Sequence, residues 1–400
     1  MPPHDTTPHD TTPHDTTQRD STQHESFQSD SSRHGALPSP GRAFSETEPD
    51  SPDEAVRGRR DAHTGQARDL QAEQGPLGDL RRIVSAELAE DVRPAVAWLA
   101  NRIRGDFGDA VLGVLFYGSC LRKETNEGVL DFWIVVDDYE SAYSSGPSPR
   151  RGHALLNRIA APNVYYLEVE HEGETLRTKY GVIDRHDFEF NTSLSARHPY
   201  VFARFAQPAR LIACRDDEAR ALLVGAIAEA VVTMVGRLVC FLPIRAGQIR
   251  FRVGAFWQLA FRVTYDSERR PESEDSIRGL YLADEDRYDE VAILAVRILT
   301  SRRHFDTATA HPRAIDIGLS ATKRGLQRFR WRMMRPWARA VGLIRLIKTA
   351  WTFGDWVPYA LWKLERHTGR PLDVSERQRR HPFVYGWPII LPLLFKRNLR

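Results

Sequence analysis

The dipeptide Gly118-Ser119 closes the apolar run 110–117, and Asp131 sits inside a second apolar run, 129–136. Arg122 and Lys123 lie between them. Residues of these types at this spacing suit a polyanionic substrate. Glycine lets the backbone approach a phosphate closely, and backbone N–H groups of a tight turn can cradle it. Ser119 adds a hydroxyl. Arg122 and Lys123 could neutralise a triphosphate. A strand carboxylate such as Asp131 could hold Mg2+, which bridges phosphates and stabilises a leaving pyrophosphate. That chemistry is nucleotidyl transfer. The dipeptide by itself says little, because Gly-Ser after a strand is commonly only a turn.

Enzymes of the nucleotidyltransferase superfamily usually carry a second carboxylate two residues after the first. Here that position is Trp133. Period-two alternation puts Asp131 and Trp133 on the same face of the strand, so the two-carboxylate grip is missing. A wider set of blocks accounts for this. In order along the chain come Phe116-Tyr-Gly-Ser119, the run 130–138 (Leu-Asp-Phe-Trp-Ile-Val-Val-Asp-Asp), Asn163-Val-Tyr-Tyr166 and Lys179-Tyr-Gly-Val-Ile183. A degenerate Phe202-Ala-Arg-Phe-Ala-Gln-Pro208 and an apolar segment ending Cys240-Phe-Leu-Pro243 follow. Over roughly 113–270, this series resembles the mitochondrial-type phosphatidate cytidylyltransferases, also described as mitochondrial translocator-maintenance proteins. Those enzymes too have a single aspartate in this strand.

The resemblance implies a reaction: CMP passes from CTP to phosphatidic acid, giving CDP-diacylglycerol and pyrophosphate. It implies that Gly118 and Ser119 bind the CTP phosphates, that Asp131 binds Mg2+, and that Lys179 reaches a phosphate. The family also has an acidic residue about a dozen positions after that lysine. This chain has Asn191 there, with Asp187 slightly upstream. The second metal ligand is therefore open between Asp187 and the glutamates Glu168 and Glu170, although strand glutamates more often simply face solvent. Asp137 and Asp138 match the family but end their strand, where a solvated loop entry is the alternative. Two rival readings remain: a nucleotidyltransferase acting on another phosphate acceptor, and a non-catalytic nucleotide-binding protein.

The elements that must position these residues follow from periodicity. Apolar residues at helical spacing predict one amphipathic helix over 80–104. Strands are expected over 110–117 and 129–136, a loop over 144–149, and a hairpin from 164–170 and 176–182 turning at His171-Glu-Gly-Glu. The stretch 216–262 reads as helical, 271–275 as a polar loop, and the last hundred residues as helical, basic and rich in Trp. The fold class is α+β: a nucleotidyltransferase-type mixed sheet with flanking helices over 77–213, a helical, winged-helix-like domain over 214–310, and a helical region over 311–400.

Composition sets the remaining bounds. A chain of 400 residues with 42% hydrophobic content can build one or two ordinary cores. A net charge of +3 marks no nucleic-acid partner. Three widely spaced cysteines form neither a metal pattern nor a disulfide scaffold, which fits a reducing, cytosol-facing location. Residues 1–76 begin with a five-residue period (Pro-His-Asp-Thr-Thr) and stay rich in Ser, Asp, Glu, Pro and Gln. They read as a disordered tail without a leader peptide. The apolar stretch 222–242 is interrupted by Glu229 and Arg237 and reads as a buried helix. Trp331, Trp337, Trp351, Trp356, Trp362 and Trp387 lie among many arginines and lysines. That pattern fits either core tryptophans with a solvated basic face or a helix lying on an anionic membrane surface. The apolar segment 383–395, broken by prolines, reads as a monotopic anchor or as a buried end. Together these imply peripheral membrane association on the cytoplasmic side.

Overall fold

The computed structural model describes residues 74–144, 152–244, 248–268, 272–311 and 313–352. All of them belong to one compact unit within Asp61–Arg400. The tail over 1–73, most of the 144–149 loop and the expected anchor over 383–395, with Trp356, Trp362 and Trp387, lie outside the described residues.

The chain starts with α1 (Pro76–Ala89) and α2 (Pro94–Arg104). These replace the single helix expected over 80–104. Proline at 94 lacks an N–H, and its ring disfavours helical backbone at the preceding residue, so the chain breaks and restarts there. Next come β1 (Val111–Tyr117), the one-turn helix α3 (Ser119–Arg122) and β2 (Val129–Val136). After α4 (Tyr139–Ser144) and α5 (His153–Ala160) the hairpin forms as expected, from β3 (Asn163–His171) and β4 (Glu174–Asp184). Its turn uses Glu172 and Gly173, both at positive φ. Then come α6 (Arg185–Thr192), the short α7 (Phe202–Phe205) and β5 (Ala209–Cys214).

The five strands form one mixed sheet in the order β3-β4-β2-β1-β5. Only β2 and β4 run parallel; the other neighbours are antiparallel. Both faces of β1 and β2 are covered, which accounts for their nearly unbroken apolar sequences. One face packs Val114, Phe116, Phe132 and Ile134 with α2. The other packs Leu112, Leu115, Trp133 and Val135 against α1, α7 and α8 (Asp217–Leu238). Helix α8 is long and apolar enough to cross a membrane by composition, with mean hydropathy 1.9. It is nevertheless a core helix, with 78% of its apolar window buried inside the protein.

The rest departs from the expected all-helical pattern. Between α8 and α9 (Val253–Ser267) runs β6 (Gln248–Arg252). After α10 (Glu274–Leu282) and α11 (Glu285–Ser301) come β7 (Thr307–His311) and β8 (Ala314–Gly318). These three strands form a second antiparallel sheet, β6-β8-β7. The boundary expected at 310 falls inside the β7–β8 hairpin, so 311–318 belongs with the preceding helices. Each strand is five residues long, too short for its alternation to stand out from a helical run. Ile249 and Phe251 point inward between exposed Gln248, Arg250 and Arg252, which is the period of a half-buried strand.

The last described element is α12 (Ala321–Thr352). Trp331, Met334 and Val341 are buried. Near its end the helix is tied back to the first sheet. Lys348 Nζ donates to Leu156 O (2.9 Å) and Ala160 O (2.6 Å), capping α5, and Arg345 Nε donates to Ala161 O (2.6 Å).

Candidate functional site

Tyr117 on β1, Asp131 on β2, Lys179 on β4 and Tyr166 on β3 stand opposite one another in the sheet register. The register therefore brings Asp131 and Lys179, 48 positions apart in sequence, side by side. Lys179 Nζ lies 2.9 Å from Asp131 Oδ1. The contact is an ion pair rather than a directed hydrogen bond, because Oδ1 is shielded from water and has no partner of hydrogen-bond geometry. Lys179 retains 37% side-chain exposure and Asp131 21%, so both face an opening rather than the core.

Gly118 closes the other side of the carboxylate. Its backbone sits at φ 97, ψ −161, a region essentially reserved for glycine. A Cβ there would lie 3.0 Å from Asp131 Oδ2. Glycine is thus required twice, for the turn and for the approach to the carboxylate. Ser119 and Lys123 are exposed, and Arg122 Nη1 donates to Gln207 Oε1 at 3.4 Å. Trp133 shares Asp131's face as the alternation implied. It is buried against Phe205 (ring centroids 5.4 Å apart), Phe188 (6.5 Å) and Tyr200 (5.9 Å). An indole in this aromatic cluster leaves no place for a second carboxylate on the strand.

Gly118, Ser119, Arg122, Lys123, Asp131 and Lys179 all line one cleft of about 950 Å³. The opposite wall comes from the loop before α7 and from α7, α9 and α10. It includes Tyr200, Arg204, Gln207, Tyr265, Glu268, Glu272, Asp275 and Ser276. Arg204 is held firmly: Nη1 and Nη2 donate to Glu268 at 3.1 and 3.0 Å, and its guanidinium lies 3.8 Å from the Tyr200 ring centroid. Burial opposes the charge on Arg204, but Glu268, Tyr200 and Tyr117 outweigh it and raise its pKa well above the ordinary value. Burial, together with the Asp131 carboxylate, raises the Tyr117 phenol, so it stays protonated beside the site. Arg345 also lies over the Tyr200 ring, 4.2 Å from its centroid, so two guanidinium groups already contact that ring.

The remaining sequence-predicted residues lie elsewhere. Asp187 heads α6, just after Asp184, which pairs with Val136 five positions along the parallel β2–β4 ladder from the Asp131–Lys179 pair. Five residues of strand is roughly 16 Å, too far to share an ion with Asp131. Glu168 pairs with Arg177 at 3.2 Å and accepts from the Tyr166 hydroxyl at 2.7 Å. It sits beyond β4, roughly 10 Å across the sheet. Glu170 accepts from Thr175 at 2.5 Å near the hairpin turn, and buried Asn191 donates to Asp187 O inside α6. Asp137 pairs with Arg215, and Asp138 accepts from Ser141 N at 2.9 Å, both at the far end of β2.

Asp184, His186 and Asp187 are the one group of acidic and histidine side chains, among the described residues, whose ligand atoms lie within 4.8 Å of one another. Asp184 already caps α6 by accepting from Asp187 N (2.7 Å), and burial pushes its carboxyl up to about 6. Asp187 accepts from the Tyr139 hydroxyl at 2.6 Å.

Arg204 and Gln207 lie in the block 202–208, and Glu272 and Asp275 in the polar stretch 271–275, neither of which carries a site signal in the sequence; all four line the cleft. No local signal placed them at the cleft, since α9 and α10 reach it only through packing of the second half of the chain.

The site offers a hard divalent cation one carboxylate, which suits an ion that brings phosphate or water ligands of its own. Asp131 offers a carboxylate oxygen that is buried without a hydrogen bond, and Gly118 presents no side chain in front of the other. No protein-family model matches the chain, and no curated protein matches it.

Proposed function

We propose that this protein is a Mg2+-dependent nucleotidyltransferase that transfers CMP from CTP to phosphatidic acid at a membrane surface. The observation that carries the reaction type is the junction of Asp131, Lys179 and Gly118 at the mouth of one cleft, beside Ser119, Arg122 and Lys123. The choice of CTP and phosphatidic acid rests on the resemblance of the sequence blocks.

In this reading the triphosphate lies along the basic wall. Backbone N–H groups at Gly118-Ser119 and the side chains of Arg122, Lys123 and Lys179 orient it and neutralise its charge. Asp131 would hold the Mg2+, which when bound offsets the charge building on the transferring phosphate and the pyrophosphate. A phosphate oxygen of the acceptor bonds to the α-phosphorus as the bond to the bridging α–β oxygen breaks, and pyrophosphate leaves. No covalent enzyme intermediate is needed, so catalysis comes from positioning and electrostatics.

Helix α12 supports the membrane part. Its 32 residues include nine basic and no acidic side chains. Leu326, Phe329, Met333, Trp337, Ile344 and Ile347 are 40–59% exposed and recur at helical spacing. Exposed Arg328, Arg330, Arg332, Arg335 and Arg339 lie among them. An apolar stripe edged by unbalanced positive charge fits an anionic bilayer better than a second copy of itself, which would repel it.

One observation favours a second acceptor class. The wall facing the basic turn carries Glu272 and Asp275, and its Arg204 is already neutralised by Glu268. That wall suits a hydroxyl or amine acceptor better than a second phosphate. The experiment is an incubation of purified protein with labelled CTP, Mg2+ and dispersed phosphatidic acid. A CDP-lipid should form and should disappear in Asp131→Ala. A product formed only with an amine or hydroxyl acceptor would replace the lipid reading with the second one.

A further inference from the structure

The ion pair between Lys179 and Asp131 constrains how a metal can arrive. It involves the oxygen best placed to ligate one: Oδ1 is buried, lacks a directed hydrogen bond and is met by Lys179 Nζ at 2.9 Å. The opposite oxygen faces the Gly118 backbone. With Trp133 in place of a second acid, Asp131 is, among the described residues, the one carboxylate on the sheet side of the cleft. Arg122, Lys123 and Lys179 stand on that same side. A free divalent ion entering there would displace an ammonium from its counter-charge and leave it beside a dication, among further positive groups. Like charges at such separation repel strongly wherever water is partly excluded. A dication already bound to a triphosphate is different. It brings four negative charges of its own, and they give Lys179 somewhere to go.

We infer that Lys179 is an internal stand-in for the metal: it holds Asp131 closed to free divalent ions, and only a metal–nucleoside triphosphate complex exchanges with it, Lys179 passing from the carboxylate to phosphate. This rests on the nucleotidyltransferase reading for the nucleotide but on the ion pair alone for the exclusion of free metal. Lys179 is thereby a substrate-touching residue and a selectivity device in one. Beyond the Lys179–Asp131 pair, Arg122 and Lys123 leave that side of the cleft net positive, which disfavours a free dication and favours a metal that arrives with the negative charge of its own ligands.

The test uses Mn2+ as a paramagnetic probe, with binding read by electron paramagnetic resonance on the full chain and no turnover required. Wild type without nucleotide should show no Mn2+ binding that Asp131→Asn removes. Lys179→Met should gain a site for free Mn2+, tighter by about tenfold or more, since one full opposing charge is gone. The double variant Lys179→Met with Asp131→Asn should lose it again. Lys179→Arg keeps the charge and should stay closed, which separates charge from folding; a thermal melt of each variant confirms an intact core. With CTP added, wild type should bind Mn2+ in an Asp131-dependent way. Asp131-dependent binding of free Mn2+ by wild type as tight as by Lys179→Met overturns the inference. So does a Lys179→Met variant that gains no site. If Lys179→Met gains its site but wild type binds no Mn2+–CTP complex, the exclusion of free metal stands and the nucleotidyltransferase reading fails.

Discussion

Replacing Gly118 by alanine tests the geometry of the cleft at its tightest point. Two costs combine. A non-glycine residue at φ 97, ψ −161 is strained by about 1–3 kcal/mol. The new Cβ would also sit 3.0 Å from Asp131 Oδ2, closer than such atoms normally approach. The carboxylate must therefore shift, and it cannot move toward the core because Trp133, next along the same face of β2, is fully packed there. A total loss of about 2–3 kcal/mol in folding stability follows. The shift should also cost turnover by a factor on the order of 100, the usual effect of misplacing a reacting group by about 1 Å. Urea denaturation and the labelled-CTP assay measure the two effects separately. Gly279→Ala is the matched control. It sits within α10 on the same cleft, with nothing within 4 Å of its would-be Cβ. There alanine should stabilise the helix by about 0.5–1 kcal/mol. If Gly118→Ala changed stability by less than about 0.5 kcal/mol and left turnover intact, the strained turn against Asp131 would be wrong.

Three further outcomes follow from contacts away from the cleft mouth. Arg287 (6% exposed) pairs with Glu87 (12% exposed) and donates to Ala206 O, tying α1 and α11 to the loop that carries Gln207. Arg287→Met strands a buried carboxylate and should cost about 3–5 kcal/mol in urea denaturation. Burial, reinforced by Arg345, pulls the Lys348 ammonium down to about 7 from the ordinary 10.5, with Asp187 opposing. Between those values the unfolded chain holds a proton that the folded one releases, so Lys348 makes stability rise with pH from about 7 toward 10.5. Lys348→Met should flatten that rise and show its largest relative gain at or below pH 7, read by thermal melts across the range. On α12, replacing exposed Arg332 and Arg339 by glutamine removes about 1 kcal/mol each at an anionic surface, so vesicle affinity should fall about thirtyfold in sedimentation. Neutral vesicles should show little difference between the two proteins.

Much of the first sheet was legible in the sequence because its strands announce themselves. β1 and β2 are apolar runs bounded by turn residues, and the β3–β4 hairpin turns on Glu172-Gly173. Asp131 and Gly118 could be named from those runs, since chemistry of this kind sits where strands end. Lys179 needed the resemblance, because only the parallel register of β4 against β2 puts it beside Asp131. What stayed hidden was non-local. Pro94 splits a helix that periodicity alone joins. The second sheet is made of five-residue strands whose alternation is swamped by the helices around them. Asp187 and Glu168 are near Lys179 in sequence, yet strand geometry carries one to the far end of β4 and the other across it. Glu272 and Asp275 reach the cleft from a segment nearly 150 positions after Asp131, which no local pattern can reveal.

The most direct measurement is pyrophosphate release by the purified chain with Mg2+ and each of the four ribonucleoside triphosphates, over acceptors that include phosphatidic acid vesicles and soluble amines and alcohols. Release is expected with CTP and phosphatidic acid, and none from the same mixture with Asp131→Asn. No release from any pair, or equal release by Asp131→Asn, would rule out nucleotidyl transfer at the Asp131 cleft.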